Sequence, residues 1–272
     1  MSESYITREY RPDDIPALTE LWMRVFGDSR EFVEGYFRML PDFGSCVLTE
    51  CGGRVIAEAG VITGLELQKA SGGAPECGYI YAVAVDPEFR GQGFGREIVR
   101  AARDKAIERE AYIICTLPAD DSLYDFYSAC AGLEPALYRE TYSLPAKPVE
   151  MTMKLTATEY MFFREDLLRG KTFLRPSFFT ADFLRFACEC GGGGLYASMS
   201  GICTASVEDG ICFCREVIAA SKADCDAVAA SVAFELGCKK AVYCLPAESG
   251  ERFIAADPGK VPADTVWNIA FE

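Results

Sequence analysis

The segment Tyr79–Gly95, YIYAVAVDPEFRGQGFG, constrains the fold more than any other part of the chain. Apolar residues alternate from Tyr79 to Val85, the chain turns at Asp86-Pro87, and a glycine-rich loop led by Arg90 follows. A helical pattern starts at Arg96. A strand that feeds a glycine-rich loop at a helix N-terminus is a phosphate-binding device, because free backbone N–H groups and the positive end of the helix dipole both favour an anion there. The glycine spacing narrows the ligand. Position 96 is arginine, where a dinucleotide fingerprint needs glycine, and no GK[ST] is present. Neither a nicotinamide or flavin dinucleotide nor a P-loop nucleotide fits.

The 272-residue sequence as a whole bounds the partners, since its formal net charge of −14 argues against sequence-independent binding to nucleic acid or to an anionic membrane surface. It is compatible with cationic substrates such as amines. The N-terminus, MSESYITREY, has no apolar signal core, and no apolar run is long enough to span a bilayer. Thirteen cysteines, an odd and scattered set without a CxxC pair, read as reduced thiols of a cytoplasmic protein. With no histidine in the chain and only the CxC pairs Cys188/Cys190 and Cys212/Cys214, no metal site is expected.

A repeat suggests the organisation. Leu117–Asp120 follows a short strand, and Leu245–Glu248 follows another, with a helical stretch before each strand (Arg96–Arg109 and Ala223–Leu236). The order strand, helix, strand, LPA-acid turn thus occurs once in each half. Pro145–Glu150 is a proline-bearing linker between them. Two domains of related build are expected, at 1–146 and 151–272.

The first half reads as strand Tyr5–Glu9, helices carrying Ile15–Phe26 and Phe32–Leu40, a hairpin turning at Cys51–Gly53, the Tyr79–Val85 strand, the Arg96 helix, the strand Tyr112–Thr116, a short helix over Ser122–Ala131 and a strand near Tyr138–Leu144. The second half reads as two helices, three strands, the Ala223 helix, the strand Ala241–Cys244 and a terminal strand Val266–Phe271. The expected class is α/β with a mixed, mostly antiparallel central sheet flanked by helices.

Arg90-x-x-Gly93-x-Gly95, placed after a strand ending Val83–Pro87, resembles motif A of the GNAT superfamily of acyl-CoA N-acyltransferases. Leu123–Tyr127 followed by Leu133-Glu134 is similar to the family's tyrosine-bearing helix and the turn after it. The likeness covers nearly all of residues 1–145. The second half, without arginine or glycines near Ile218–Ala223, resembles the family in element order only and would be a degenerate copy.

The resemblance implies acetyl-CoA as acyl donor, no metal, and transfer to a small-molecule or peptide amine by direct attack. Arg90, Gly91, Gln92, Gly93, Phe94, Gly95 and Arg96 would cradle the pyrophosphate, while the side chains of Phe94, Ile98, Ala102 and Ala106 belong to the core. Val83, Ala84 and Val85 would bond the pantetheine amides through their backbone. Ser122 is a weaker cofactor contact. Tyr127 would protonate the departing thiolate. Glu76, just before the strand, is the candidate base for the amine, with Glu58 on the preceding strand also considered. Cys130, one helical turn from Tyr127, is read as a structural thiol. A homo-oligomer is compatible with the sequence. The competing reading is a non-catalytic acyl-CoA-binding or protein-interaction module.

Overall fold

The computed structural model describes residues 4–267, 269 and 271. The chain divides into two compact units, each assembled from more than one stretch of sequence. Unit 1 is 1–66, 75–136 and 254–261; unit 2 is 67–74, 137–253 and 262–272. The division differs from a cut at Pro145–Glu150, because the chain near its end returns to complete unit 1.

In unit 1 the strands β1 (Tyr5–Glu9), β2 (Gly44–Cys51), β3 (Arg54–Gln68), β4 (Glu76–Val85) and β5 (Ile113–Thr116) lie side by side in that order. All neighbours are antiparallel except β4 and β5, which run parallel. Helices α1 (Ile15–Phe26) and α2 (Arg30–Met39) precede β2. Helix α1 stops at Gly27, whose φ of 79° suits the left-handed cap that glycine adopts without strain. Helix α2 begins at Ser29, whose side chain accepts the Phe32 N–H.

Helices α3 (Phe94–Glu108) and α4 (Leu123–Ala131) cover one face of this sheet. Ala57, Ala59, Val61 and Ile80 pack there against Ile98, Val99, Ala102 and Ala106. Small residues allow the close approach: a Cβ on Gly78 would lie 2.7 Å from the Ala106 methyl. The opposite face carries an aromatic layer of Trp22, Tyr36, Phe37 and Tyr81.

Unit 2 contains most of β6 (Glu134–Pro145), then β7 (Met153–Leu155), α5 (Ala157–Leu167), β8 (Phe173–Pro176), α6 (Phe178–Cys190), β9 (Gly194–Ala197), β10 (Gly201–Glu208), β11 (Ile211–Ala219), α7 (Lys222–Glu235) and β12 (Lys240–Ala247). Its sheet runs β6-β12-β11-β10-β9-β7. Helix α7 packs on Cys203, Ala205, Cys212 and Cys214, while α5 and α6 cover Leu195, Ile202 and Ile218. The buried Arg164 reaches both carboxylate oxygens of Glu216 at 3.1 Å.

Three strands escape the sequence reading. Strands β7 and β8 have only three and four residues, too few for a period to register. The third is β13 (Glu251–Ala256), whose end serves unit 1. One expected turn is also corrected. Leu245, Pro246 and Ala247 lie inside β12, paired to Glu140, Arg139 and Tyr138 of β6, so extension rather than turning satisfies the backbone. Leu117–Asp120 follows β5 outside any strand, as expected. The terminal strand expected at Val266–Phe271 falls partly outside the described residues; Val266 makes a single parallel bridge to Phe173.

The end of β13 pairs Ala255 with Thr116 and Ala256 with Cys115 on β5. Asp257 then anchors it, accepting from the Ile114 N–H at 3.0 Å, Arg103 at 2.7 Å and Lys260 at 3.1 Å. Burial works against its charge, but these donors outweigh burial and hold the carboxyl below its ordinary value. A carboxyl depressed in the fold stabilises above its unfolded pKa, and that contribution disappears as pH falls through the folded value. Asp257→Asn is therefore expected to cost about 1–3 kcal/mol at pH 7, the range for hydrogen bonds to charged groups. The difference should shrink below about pH 4. Urea midpoints of both proteins at pH 7 and pH 3 check this; equal midpoints at pH 7 contradict it.

Candidate functional site

Two irregularities of β4 shape the site. Across β3, Gly60 faces Tyr81 and Glu58 faces Ala84, so Ala82 and Val83 share one opposite residue, Ala59. The extra residue is a β-bulge, and Ala82 takes a φ of 48°, a region that costs a residue with a Cβ and that recurs at functional sites. The parallel ladder to β5 covers only Cys77–Tyr79, opposite Ile113–Cys115. Just beyond, the Thr116 hydroxyl donates to the Ile80 carbonyl at 2.8 Å. From Tyr81 onward, among the described residues, no strand pairs with that edge of β4.

The alternation of an antiparallel ladder fixes what the open edge presents. The Asp86 N–H donates to the Ile56 carbonyl at 2.8 Å, and Ala84 faces Glu58 as the next inward pair. Val83 and Val85 therefore turn their backbone groups away from β3. Arg90 demonstrates this, since its Nε donates to the Val85 carbonyl at 3.1 Å.

The loop after β4 is held by a buried carboxylate that the sequence reading missed. Asp86 accepts from the Glu88 N–H at 3.0 Å and from Arg24 at 2.6 Å, and it also receives Arg54. Burial opposes its charge, but the Glu88 N–H and the two guanidinium groups hold the carboxyl below the usual range. The loop then bends through Gly91 and Gly93, at φ of 76° and 95°, and a Cβ on either would meet nothing within 4 Å. Open space over two left-handed glycines is what a loop approached by a ligand needs. Gly95 differs: a Cβ there would touch Phe126 at 3.4 Å, so it serves packing.

Helix α3 starts at Gly93 with no side-chain cap, and the first intrahelical bond runs from the Glu97 N–H to the Gly93 carbonyl. The preceding N–H groups have no intrahelical carbonyl to meet. In front of them lies a pocket of about 340 Å³ lined by Val85, Arg90, Gly91, Gly93, Gly95, Arg96 and Phe126. Arg96 also hydrogen-bonds the Cys130 thiol, which burial pushes up and Arg96 pulls back.

The expected residues distribute unevenly around this pocket. Gln92 turns its amide to the Glu88 carbonyl at 3.3 Å. Phe94 stacks edge-on to Tyr5 and Phe89, so its ring is core and only its backbone belongs to the loop. Ser122 gives its hydroxyl to Asp120 at 2.5 Å and does not line the pocket. Phe126, one residue before Tyr127, does line it; the sequence signal is only its place on a strongly aromatic helix.

Tyr127 is buried, and its hydroxyl is hydrogen-bonded to that of Thr116. Burial pushes the phenol up to about 12, against the pull of that hydrogen bond. Because Thr116 also holds Ile80, the Tyr127 hydroxyl sits where β4 and β5 part. Val85 is five residues further along β4, roughly 17 Å at 3.3 Å per residue. Glu76 is not brought to the site. It stands at the opposite end of β4, facing Glu66, and burial together with Glu66 and Glu110 raises its carboxyl. Among the described residues, no group of three or more Cys, Asp or Glu is placed to hold a metal ion, and no helix is long and apolar enough to cross a membrane.

Residues 6–132 match the acetyltransferase (GNAT) family. The chain thus carries a GNAT acetyltransferase domain in its first half, of a family that draws acyl groups from CoA thioesters. Solved structures extend the likeness of fold to almost the whole chain. A GCN5-related N-acetyltransferase from Kribbella flavida aligns with a TM-score of 0.67 and 16% identity, over 94% of this chain and 71% of that one. One from Anabaena variabilis gives 0.62 and 15%, over 93% and 72%. One from Sphaerobacter thermophilus gives 0.52 and 14%, over 93% and 95%. No curated protein matches the sequence. Identities this low carry the fold alone.

Proposed function

We propose that the protein is an acetyl-CoA-dependent N-acetyltransferase acting on a primary amine, with its active site in unit 1. The observation that carries the reading is the opening between β4 and β5, with Tyr127 and Thr116 at its closed end and the uncapped start of α3 at its mouth. In this reading Arg90, Arg96 and the N–H groups after Gly93 hold the pyrophosphate. The outward backbone groups of Val83 and Val85 pair with the pantetheine amides as an added strand would. A β4 N–H polarises the thioester carbonyl, and Tyr127 hydrogen-bonds the departing sulfur. The acceptor is a small-molecule or peptide amine.

Unit 2 is read as a related copy without the cofactor loop. Apart from the short β8 between its first two helices, it repeats the order strand, helix, helix, three strands, helix, strand. It also repeats the bulge, since Thr204 faces Glu216 while Ala205 faces Cys214. At its corresponding helix start, however, Ser221 caps the Asp224 N–H with its own side chain, which leaves less for an anion. The thirteen free thiols support a cytoplasmic setting.

A thermal-shift titration with CoA and acetyl-CoA, followed by thiol release across a panel of primary amines, tests the reading. A ligand at 100-fold excess over Kd stabilises the fold by about 2.7 kcal/mol, a shift of several degrees. Absence of a shift rejects acyl-CoA binding. A shift without thiol release supports the non-catalytic binding module instead.

A further inference from the structure

Glu58 lies in the middle of β3, directly across from Ala84 and so between the two residues whose backbone faces the opening. Its neighbours Ala57 and Ala59 pack under α3, so the alternation of the strand turns Glu58 to the opposite face, toward the aromatic layer. The side chain is 1% exposed, and neither carboxylate oxygen has a hydrogen-bond partner among the described residues.

The groups around it are acids or neutral. Tyr36 of α2 and Cys46 of β2 both feel its charge. Tyr81 of β4 and Tyr10 bear on Tyr36, and Asp14 and Glu9 bear on Cys46. Among the described residues no cation acts on Glu58, and burial alone raises its carboxyl well above the ordinary value. A carboxyl in such a place weakens the fold, and glutamine or methionine would fill the same space at lower cost. The gain must lie elsewhere, and this position adjoins the bulged segment of β4 at which an acyl group would be presented.

We propose that Glu58 receives the proton that the acceptor ammonium must lose, an assignment that rests on the acyl-transfer reading above. The carboxylate takes H⁺ from R–NH₃⁺ and becomes the neutral acid that its surroundings favour, leaving R–NH₂. The amine nitrogen then bonds to the thioester carbon and the C–S bond breaks. The remaining nitrogen proton replaces the one that Tyr127 gives to sulfur, so that amide, CoA thiol and one proton on Glu58 result. Glu58 returns its proton to solvent before the next turnover. Tyr36 and Tyr81, with rings 5.7 Å apart, supply the hydroxyl groups on this face through which that proton can pass.

The test compares wild type, Glu58→Gln and Glu58→Met in thiol release with two amines of different basicity between pH 6 and 10. Wild type should show a rise in kcat/KM with pH whose midpoint is the same for both amines. Glu58→Gln should lose that limb and fall about 100-fold at pH 7, as removal of a general base does, while keeping the CoA thermal shift. Glu58→Met should melt higher than wild type and be equally impaired. A Glu58→Gln protein within twofold of wild type, with the same pH limb, overturns this proposal alone. A wild-type protein that binds CoA but releases thiol with no amine overturns the transfer reading and this proposal with it.

Discussion

Tyr127→Phe is expected to lower kcat for acyl transfer by about 10²–10³-fold, within the range that a positioned acid supplies. The CoA-induced thermal shift should stay within experimental error of wild type, because the phenol lies at the closed end of the opening, away from the pocket that would hold the phosphates. A phenol held at about 12 keeps its proton throughout the neutral range, so in the proposed reaction it would meet the departing sulfur as a donor. Full transfer to a thiolate with a pKa of about 8.5 is uphill by roughly 3–4 units, or about 5 kcal/mol. The transfer must therefore be coupled to arrival of the nitrogen proton at the phenolate. Single-turnover thiol release at saturating acetyl-CoA checks the prediction; an unchanged rate removes Tyr127 from the mechanism.

The double variant Arg90→Ala/Gly93→Ala is expected to abolish the CoA thermal shift. Alanine at the φ of 95° seen for Gly93 costs about 1–2 kcal/mol and places a methyl in space now open to a ligand. Loss of a charged donor at Arg90 removes about 1.5–3 kcal/mol. The loss at Arg90 alone weakens binding by about 10–10²-fold, at 1.4 kcal/mol per factor of ten, and the methyl in the ligand's space weakens it further. The fold itself should persist, since Arg90 lies on the surface of the loop and Asp86 holds the loop independently. Isothermal titration with CoA measures the change; a Kd within threefold of wild type shows that the phosphates bind elsewhere.

The loop was readable because its chemistry is local. Gly91 and Gly93 need positive φ, Arg90 returns to a carbonyl five residues away, and α3 begins where the glycines end. The helix that carries Tyr127 was readable for the same reason, as a short helix capped by Gly132. Glu76 misled because adjacency in sequence to a strand says nothing about which end of that strand meets the ligand. Thr116, Phe126 and Asp86 escaped notice because each acquires its meaning from a partner far along the chain. Asp86 joins Arg24 and Arg54, and Thr116 joins Ile80.

By itself, then, the sequence determined the strand-loop-helix device, the mixed α/β class and the order of elements in the first half, because backbone propensities and periodicities act over a few residues. Tertiary structure alone decided where β5 leaves β4, that residues 254–261 complete unit 1, and that Glu58 is sealed without a partner among the described residues while Glu76 stands at the far end of its strand. Those outcomes depend on register and burial, which arise only when segments distant in sequence pack together.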